Sequence, residues 1–360
     1  VKVQLLSPGA GKREAVRVMV REWDPRTGSA AEIESLLDTL NAIVDADMPE
    51  DPHWRLDHLR DYLAEVMPGS RRISWVAQED PRPDGRPGRM VGHLAVLLMG
   101  DIGVVDLLVH PDARSSGLGR AMLTRAARRV CQEGFRYIGA EVVGGTPAVR
   151  FYESLGFTRE YVETRSVLNL STVDWSAVES MAAGIDAGYH LEFCPGGPPE
   201  PLIEAYARTK AEARDAEDGQ VDLDLNPSSY DPERLRDSLD CLHRRGMKPY
   251  IVLALHEATG QVAGLTELVV PAQHPSRADQ YDTIVSPAHH GHGIDRAVKA
   301  RMLLELRSAE PGVAQVQTWN APGNEAMIRV NTELGFRPDR EWCEYAVDVA
   351  ELVHRLGTPT

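Results

Sequence analysis

Val105-Asp106-Leu107-Leu108-Val109-His110-Pro111, followed closely by Arg114-Ser115-Ser116-Gly117-Leu118-Gly119, reads as an apolar strand that turns at a proline into a glycine-punctuated helix entry. Leu118, Ala121, Met122, Ala126 and Val130 fall on one face of that helix, which the pattern predicts to run to about Glu133. Backbone N–H groups at such an entry have no intrahelical partner and converge on one spot, where an anion binds. Gly117 and Gly119 leave no Cβ to hold a phosphate away, and Arg114 and Arg120 add positive charge beside it. A short glycine pattern is equally an ordinary helix start, so its surroundings decide.

Those surroundings recur. Tyr281-Asp282-Thr283-Ile284-Val285-Ser286-Pro287 leads into His290-Gly291-His292-Gly293-Ile294-Asp295, and Phe151-Tyr152-Glu153-Ser154-Leu155-Gly156-Phe157 is matched by Val330-Asn331-Thr332-Glu333-Leu334-Gly335-Phe336. From Arg114 to His290 is 176 residues and from Phe157 to Phe336 is 179, so the register slips by only three residues. A chain of 360 residues exceeds the usual size of one core, and two copies of one domain satisfy both observations.

Each copy shows the same order of elements. In the first, strands are predicted over 16–23, 73–78, 90–98, 102–109, 137–143 and 162–170, with helices over 31–44, 53–67, 118–133 and 147–155. Residues 81–88 form a polar Pro/Gly hairpin loop, and residues 170–188 join the copies through a helical stretch, Trp175 to Ala183. The second copy carries strands at Tyr189 to Phe193 and around Tyr250, Val262 and Asp282, and another over 313–319. Its helices start near Glu200, Pro232, Ile294 and Asn324. Cys194 to Pro199 is a stiff loop, and 212–224 is surface or mobile chain. The expected division is an N-terminal domain over 1–170, a connector over 171–188 and a C-terminal domain over 189–360.

A net charge of −15 argues against a nucleic-acid partner, whose phosphates are held by clustered Lys and Arg. An acidic field attracts cations, which suits an amine substrate, although solubility alone also explains it. The 42% hydrophobic, 26% charged composition contains no apolar run long enough for a membrane span. Residues 1–6 lack the pattern of a secretory signal, and the four cysteines show no CxxC spacing, so a cytoplasmic protein with free thiols is expected.

The loop and its flanks resemble the GNAT superfamily of N-acyltransferases, whose acyl-CoA loop has the form Arg/Gln-x-x-Gly-x-Gly/Ala after a strand. The segment Ala148-Val149-Arg150-Phe151-Tyr152 before Leu155-Gly156-Phe157 is similar to that family's Ala-x-x-x-Tyr-x-x-x-Gly-Phe segment. The likeness is strongest around the N-terminal loop and, once the repeat is admitted, extends over roughly the whole chain. It implies an α/β (α+β) fold of two tandem GNAT domains, each a mixed, mostly antiparallel sheet flanked by helices. It also implies acetyl-CoA as acyl donor, with direct attack of a primary amine on the thioester. The cofactor-binding residues it implies are Leu107, Leu108 and Val109, whose backbone pairs with pantetheine, together with Arg114, Ser115, Ser116, Gly117, Leu118, Gly119 and Arg120. Gly145 departs from the family, where many members carry Asn.

That chemistry needs a proton acceptor, oxyanion donors and an acid for the departing thiolate. By position Tyr152 is the acid, with aromatic packing as its alternative role. Asp106 and Glu141 are candidate bases, directly or through water, and a structural bond or simple solvation is open for each. Asp45 and Asp47, with Glu50 and Asp51, occupy the region that covers the acceptor site in the family; Asp222 and Asp224 stand in the matching stretch, and a solvated loop is the other reading.

The second copy has His290 for Arg114, Asp295 for Gly119 and Asn331 for Tyr152. A carboxylate in the first turn is expected to fill the anion site from within and repel a pyrophosphate. In some tandem GNAT proteins, which include mycothiol synthase-like chains, the C-terminal copy is the working one; here the residues favour the first. His289-His290-Gly291-His292 lacks a spaced set of further ligands and reads as an exposed turn, with no metal. The expected acceptor is a small, cationic amine, a metabolite or an aminoglycoside-like compound, and the chain a monomer or homodimer. The rival readings are a protein or peptide N-acetyltransferase and a non-catalytic acyl-CoA sensor or scaffold.

Overall fold

A computed structural model describes residues 2–4, 17–81, 87–216 and 231–357. The predicted loop tip at 82–86, Asp222, Asp224 and most of the acidic run after Ala216 lie outside the described residues. The chain divides into two compact units, one of residues 1–161 with 343–360, the other of residues 162–342. This differs from the expected boundaries at both ends: residues 162–170 and the connector fall in the second unit, and the last residues of the chain fall in the first.

The first unit opens with β1 (Lys2–Gln4), β2 (Arg17–Glu22), α1 (Ala30–Asp47) and α2 (Leu59–Ala64). Next come β3 (Arg71–Glu79), β4 (Met90–Met99), β5 (Ile102–Val109), α3 (Leu118–Gln132), β6 (Tyr137–Val143) and α4 (Pro147–Ser154). Its strands lie in the order β1-β2-β3-β4-β5-β6, antiparallel except for the parallel pair β5/β6. α1 begins at a capping box in which Glu32 N–H donates to Ser29 Oγ (3.3 Å) and Ser29 N–H donates to Glu32 Oε2 (2.7 Å). Leu36, Leu40, Leu59 and Leu63 bury one sheet face against Val76 and Met90. On the other face, α3 comes close enough that a Cβ on Gly92 would lie 3.0 Å from the Met122 sulfur, and one on Gly103 3.1 Å from Val130.

α2 is much shorter than the predicted 53–67. His58 adopts φ +53°, a left-handed conformation that breaks the run of helical hydrogen bonds just before Leu59.

The second unit contains the larger part of β7 (Thr158–Asn169), α5 (Trp175–Ala182), β8 (Tyr189–Pro195), α6 (Ile203–Ala216) and α7 (Pro232–Arg244). It continues through β9 (Met247–His256), β10 (Val262–Pro271), β11 (Arg277–Val285), α8 (Ile294–Ala309), β12 (Gln315–Asn320), α9 (Glu325–Leu334) and the start of β13 (Arg337–Asp348). Cys194 and Pro195 extend β8 instead of starting a loop. The strand order β7-β12-β11-β10-β9-β8 repeats the first sheet's pattern, with one parallel pair, β11/β12. Within this unit the buried Arg165 donates to Asp339 Oδ2 (Nε, 2.8 Å) and to Gln317 Oε1 (3.1 Å), so its charge is paired where water is excluded.

α10 (Val349–Gly357) belongs to the first unit and packs on α3. Arg120 donates to the Arg355 carbonyl (3.2 Å), and Val349 N–H donates to Arg136 O (3.0 Å). One further feature is shared by both units. Thr39 on α1 donates to Met90 O (2.5 Å) at the start of β4, and Thr209 on α6 donates to Val262 O (2.8 Å) at the start of β10. The same helix is therefore fastened to the same strand end in each copy.

Candidate active site

β5 pairs with β6 only from Ile102–Tyr137 to Val105–Ala140, whereas its ladder with β4 continues to Val109. Beyond Val105 the two parallel strands part. His110 N–H donates to Val91 O (2.9 Å), and by the alternation of an antiparallel ladder the backbone groups of Leu108 and Asp106 also turn toward β4. Those of Leu107 and Val109 turn into the gap between the strands. Of the three residues expected to offer backbone bonds, Leu108 is thus committed to its neighbour strand, and Leu107 and Val109 face the opening.

At the end of β5 a short 3-10 turn, Pro111–Ala113, is closed by Ser116 Oγ donating to Ala113 O (2.6 Å). Ser115 (φ +57°) and Gly117 (φ +84°) are both left-handed, an arrangement that points successive N–H groups toward a common concavity. Gly117 caps α3 with no side-chain acceptor, the first turn has no acid, and the first helical bond is Ala121 N–H to Gly117 O (3.0 Å). The N–H groups of Leu118, Gly119 and Arg120 therefore have no intrahelical acceptor. A Cβ on Gly117 would meet no atom within 4 Å. An open, uncapped helix end of this kind can accept an anion.

The flanking charges are arranged differently from expectation. Arg114 holds Asp47 in a bidentate pair (2.7 and 2.6 Å) and donates through Nε to Val109 O (3.1 Å). Arg114 is thus a brace that ties the end of α1 to the loop, and its charge is already balanced. Asp47 cannot at the same time serve as a free carboxylate for an acceptor. Asp45 lies at the surface, 2.7 Å from His53 Nε2.

Tyr152 is buried between the rings of Phe151 and Phe157, both edge-on at 5.2 and 4.9 Å. Its hydroxyl has no protein partner among the described residues and is not sealed from solvent. Burial, and then the nearby charge of Asp106, push its pKa well up, so the phenol stays protonated. Asp106 combines an exposed carboxylate with dense protein around it, the situation of a group on the floor of a recess. Burial raises its pKa, and the guanidinium of Arg72 opposes the rise. Glu141 projects from β6 as an exposed side chain.

Sequence reasoning passed over Arg72, His93 and Trp23, which border the same face as Asp106. Arg72 is anchored on α2 by its bond to Leu63 O (2.5 Å). His93 on β4 is fully buried edge-on to Trp23 (5.9 Å), with no partner at either ring nitrogen. An imidazole inside the apolar strand Met90–Met99 was the one available signal. Burial, helped by Arg72, lowers the His93 pKa to about 3. The unfolded chain binds a proton near pH 6.5 and the folded one does not, so stability falls as pH drops through that window. The expected loss approaches about 1.4 kcal/mol per pH unit between roughly pH 6 and 4. His93→Phe should flatten that limb in urea titrations, and an unchanged slope would refute the assignment.

The second unit keeps the gap but not the opening. β11 leaves β12 after Gln280–Thr318, and His290 Nε2 bonds Val285 O (3.0 Å) as Arg114 bonds Val109 O. Asp295 lies in the first turn of α8 yet makes no hydrogen bond to the loop, so it does not fill the site as expected. The loop is covered from elsewhere. Asp186 N–H donates to His292 O (3.3 Å), Asp186 Oδ2 lies 2.8 Å from His292 Nδ1, and a Cβ on Gly293 would lie 3.2 Å from Gly184 O. Asn331, in Tyr152's place, is buried and donates to Asn320 (2.6 Å). Asn324, matching Gly145, caps α9. His289 and His292 are half-buried beside Tyr189 and not merely part of an exposed turn; Tyr189 Oη lies 2.9 Å from His289 Nδ1. Among the described residues no group of three His, Cys, Asp or Glu side chains could hold a metal, and no helix is long and apolar enough to cross a membrane.

The gap, the loop and α4 lie within a family match: the acetyltransferase (GNAT) domain model covers residues 70–159. The first unit thus carries a GNAT acetyltransferase domain. A mycothiol acetyltransferase of Sanguibacter keddieii is 29% identical over 241 residues, 64% of this chain and 70% of that one. A second, from Thermomonospora curvata, is 30% identical over 149 residues, 41% of this chain and 46% of its own length. Among solved structures, a tandem GNAT protein from the clavulanic acid biosynthesis pathway has a TM-score of 0.77 at 24% identity, covering 92% of this chain and 98% of that chain. A GCN5-related N-acetyltransferase from Sphaerobacter thermophilus gives 0.61 at 16% identity, covering 92% and 96%. The GNAT fold thus accounts for both units, and the family's acyl donor is acetyl-CoA.

Proposed function

We propose that the first GNAT unit transfers an acetyl group from acetyl-CoA to a primary amine of a small, cationic metabolite, and that the second unit performs no acetyl transfer. The observation that carries this reading is the uncapped, carboxylate-free start of α3 beside the parted strands, set against its covered counterpart at α8. The curated relatives named above are mycothiol acetyltransferases, in keeping with a small-molecule acceptor.

The N–H groups from Ser115 to Arg120 would hold the pyrophosphate, and those of Leu107 and Val109 the pantetheine arm. The donor supplies an activated thioester carbonyl. Asp106 takes the ammonium proton, leaving a free amine to attack; a C–N bond forms, the nitrogen gives up its second proton to solvent, and the C–S bond breaks. A carboxylate with a raised pKa is better matched to that proton than an ordinary one. Tyr152 meets the departing sulfur. Because its phenol holds its proton more tightly than a thiol of pKa about 8.5 does, its contribution is a hydrogen bond to the developing thiolate, and solvent completes the protonation.

Free-CoA release, assayed with acetyl-CoA and a panel of diamines, polyamines, amino sugars and lysine peptides, tests the reading. Turnover is expected with small amines and not with the peptides. Turnover confined to peptides would replace the small-molecule reading with a protein acetyltransferase. Acetyl-CoA binding without turnover on any amine would leave a sensor.

A further inference from the structure

The two units fasten the same helix to the same strand end through Thr39 and Thr209, and the next residue differs: Leu40 in the first, Lys210 in the second. Lys210 is almost fully buried. Its Nζ lies 2.8 Å from both oxygens of Glu267 and 2.8 Å from Asp282 Oδ2. Asp282 occupies the place in its loop strand that Asp106 occupies in the first. One unit thus carries, inside its own fold, an alkyl chain ending in a primary ammonium docked on the loop-strand carboxylate.

In the first unit the corresponding side chain is apolar, shorter and packed into the α1 core, and Asp106 is left facing solvent. Across the ladder from Asp106 stands Ala95, with no second carboxylate. We propose that the acceptor's primary ammonium docks on Asp106 in the space that Lys210 Nζ fills in the second unit, and that Leu40 is the specificity residue that keeps this space open. The inference rests on the acetyl-transfer reading above and names the acceptor's recognition group. An unbranched alkylammonium, such as the end of a diamine or polyamine, is the class that fits.

The difference in carboxylate number gives this likeness a chemical sense. In the second unit Glu267 and Asp282 both close on Lys210 Nζ, which suits a structural tie. A single carboxylate in a recess can bind the ammonium and then accept its proton. The same substitution also closes the second unit to amines, independently of its covered loop.

A double-mutant cycle on the full chain tests the geometry without knowledge of the acceptor. Leu40→Lys, Asp106→Asn and the double variant are compared by urea unfolding. Asp106→Asn alone should leave the midpoint near wild type. In the Leu40→Lys background it should cost about tenfold in the folding equilibrium constant, because the new ammonium then loses its partner. Additive effects would overturn the proposal.

If Leu40→Lys does not fold, propylammonium chloride serves as the probe, with tetramethylammonium chloride at equal ionic strength as control. Propylammonium should raise the melting temperature of wild type and not of Asp106→Asn; equal shifts in both proteins would overturn the proposal. Acetyl-CoA-dependent stabilisation is measured on wild type alongside. Its absence would count against the acetyl-transfer reading and leave the ammonium result to stand on its own.

Discussion

Replacing Gly119 by Asp is expected to abolish stabilisation of the protein by acetyl-CoA while leaving the ligand-free fold intact. A Cβ at position 119 would meet the Phe151 ring at 3.5 Å, an ordinary contact, so the backbone need not shift. A carboxylate in the first turn of α3 interacts favourably with the helix N-terminus, by about 0.3–1 kcal/mol, so the apo protein should not suffer. For a diphosphate the effect is reversed, since the new charge repels it from the N–H groups that would have bound it. At about 100 times the dissociation constant, acetyl-CoA should stabilise wild type by roughly 2.7 kcal/mol, a rise of about 5–10 °C for a unit of this size. Gly119→Asp should show none of that rise, and Gly119→Ala should keep most of it. Asp295→Gly should not create a second site, because Gly184 and Asp186 still cover the loop before α8. A ligand-induced shift that survives Gly119→Asp and disappears on changing Gly293 or Asp295 would move the active site to the other unit.

Tyr152→Phe is expected to lower kcat by about a hundredfold with little change in acetyl-CoA affinity. Phenylalanine preserves the edge-on contacts with Phe151 and Phe157, so the aromatic cluster keeps its packing. The hydroxyl has no protein partner among the described residues, so its removal strands no buried group there. In the proposed mechanism, what disappears is a donor to the sulfur as charge develops there, an interaction stronger in the transition state than in the ground state. Steady-state kinetics with the best amine from the acceptor panel decides the matter. An unchanged kcat would return Tyr152 to the role of a packing residue.

The boundaries of most elements follow local pattern closely. β6 spans the predicted Tyr137–Val143, and the amphipathic spacing after Gly117 gives α3 to within a residue. Local pattern fails at α2, where the left-handed His58 interrupts an otherwise helix-compatible run of residues. It also fails for the charges. Asp47 and Arg114 are far apart in sequence, and each looks like a free ligand until the fold brings them into one bidentate pair.

The proposed division of labour between the copies rests in part on the sequence. Asp295 and Asn331 are visible substitutions at matched positions, and they point to the first copy. The connector's cover over the second loop is a long-range contact that no motif encodes.

By itself the sequence determined the repeated GNAT fold and the glycine-capped, acid-free helix start in its first copy, because glycine placement, strand–helix succession and apolar periodicity act over a few residues. Tertiary structure alone decided which charges are free: Arg114 and Asp47 neutralise each other, Lys210 closes on Asp282, and Asp106 is left open. Coulomb energy depends on distance and on the surrounding dielectric, and neither is set until the chain has packed.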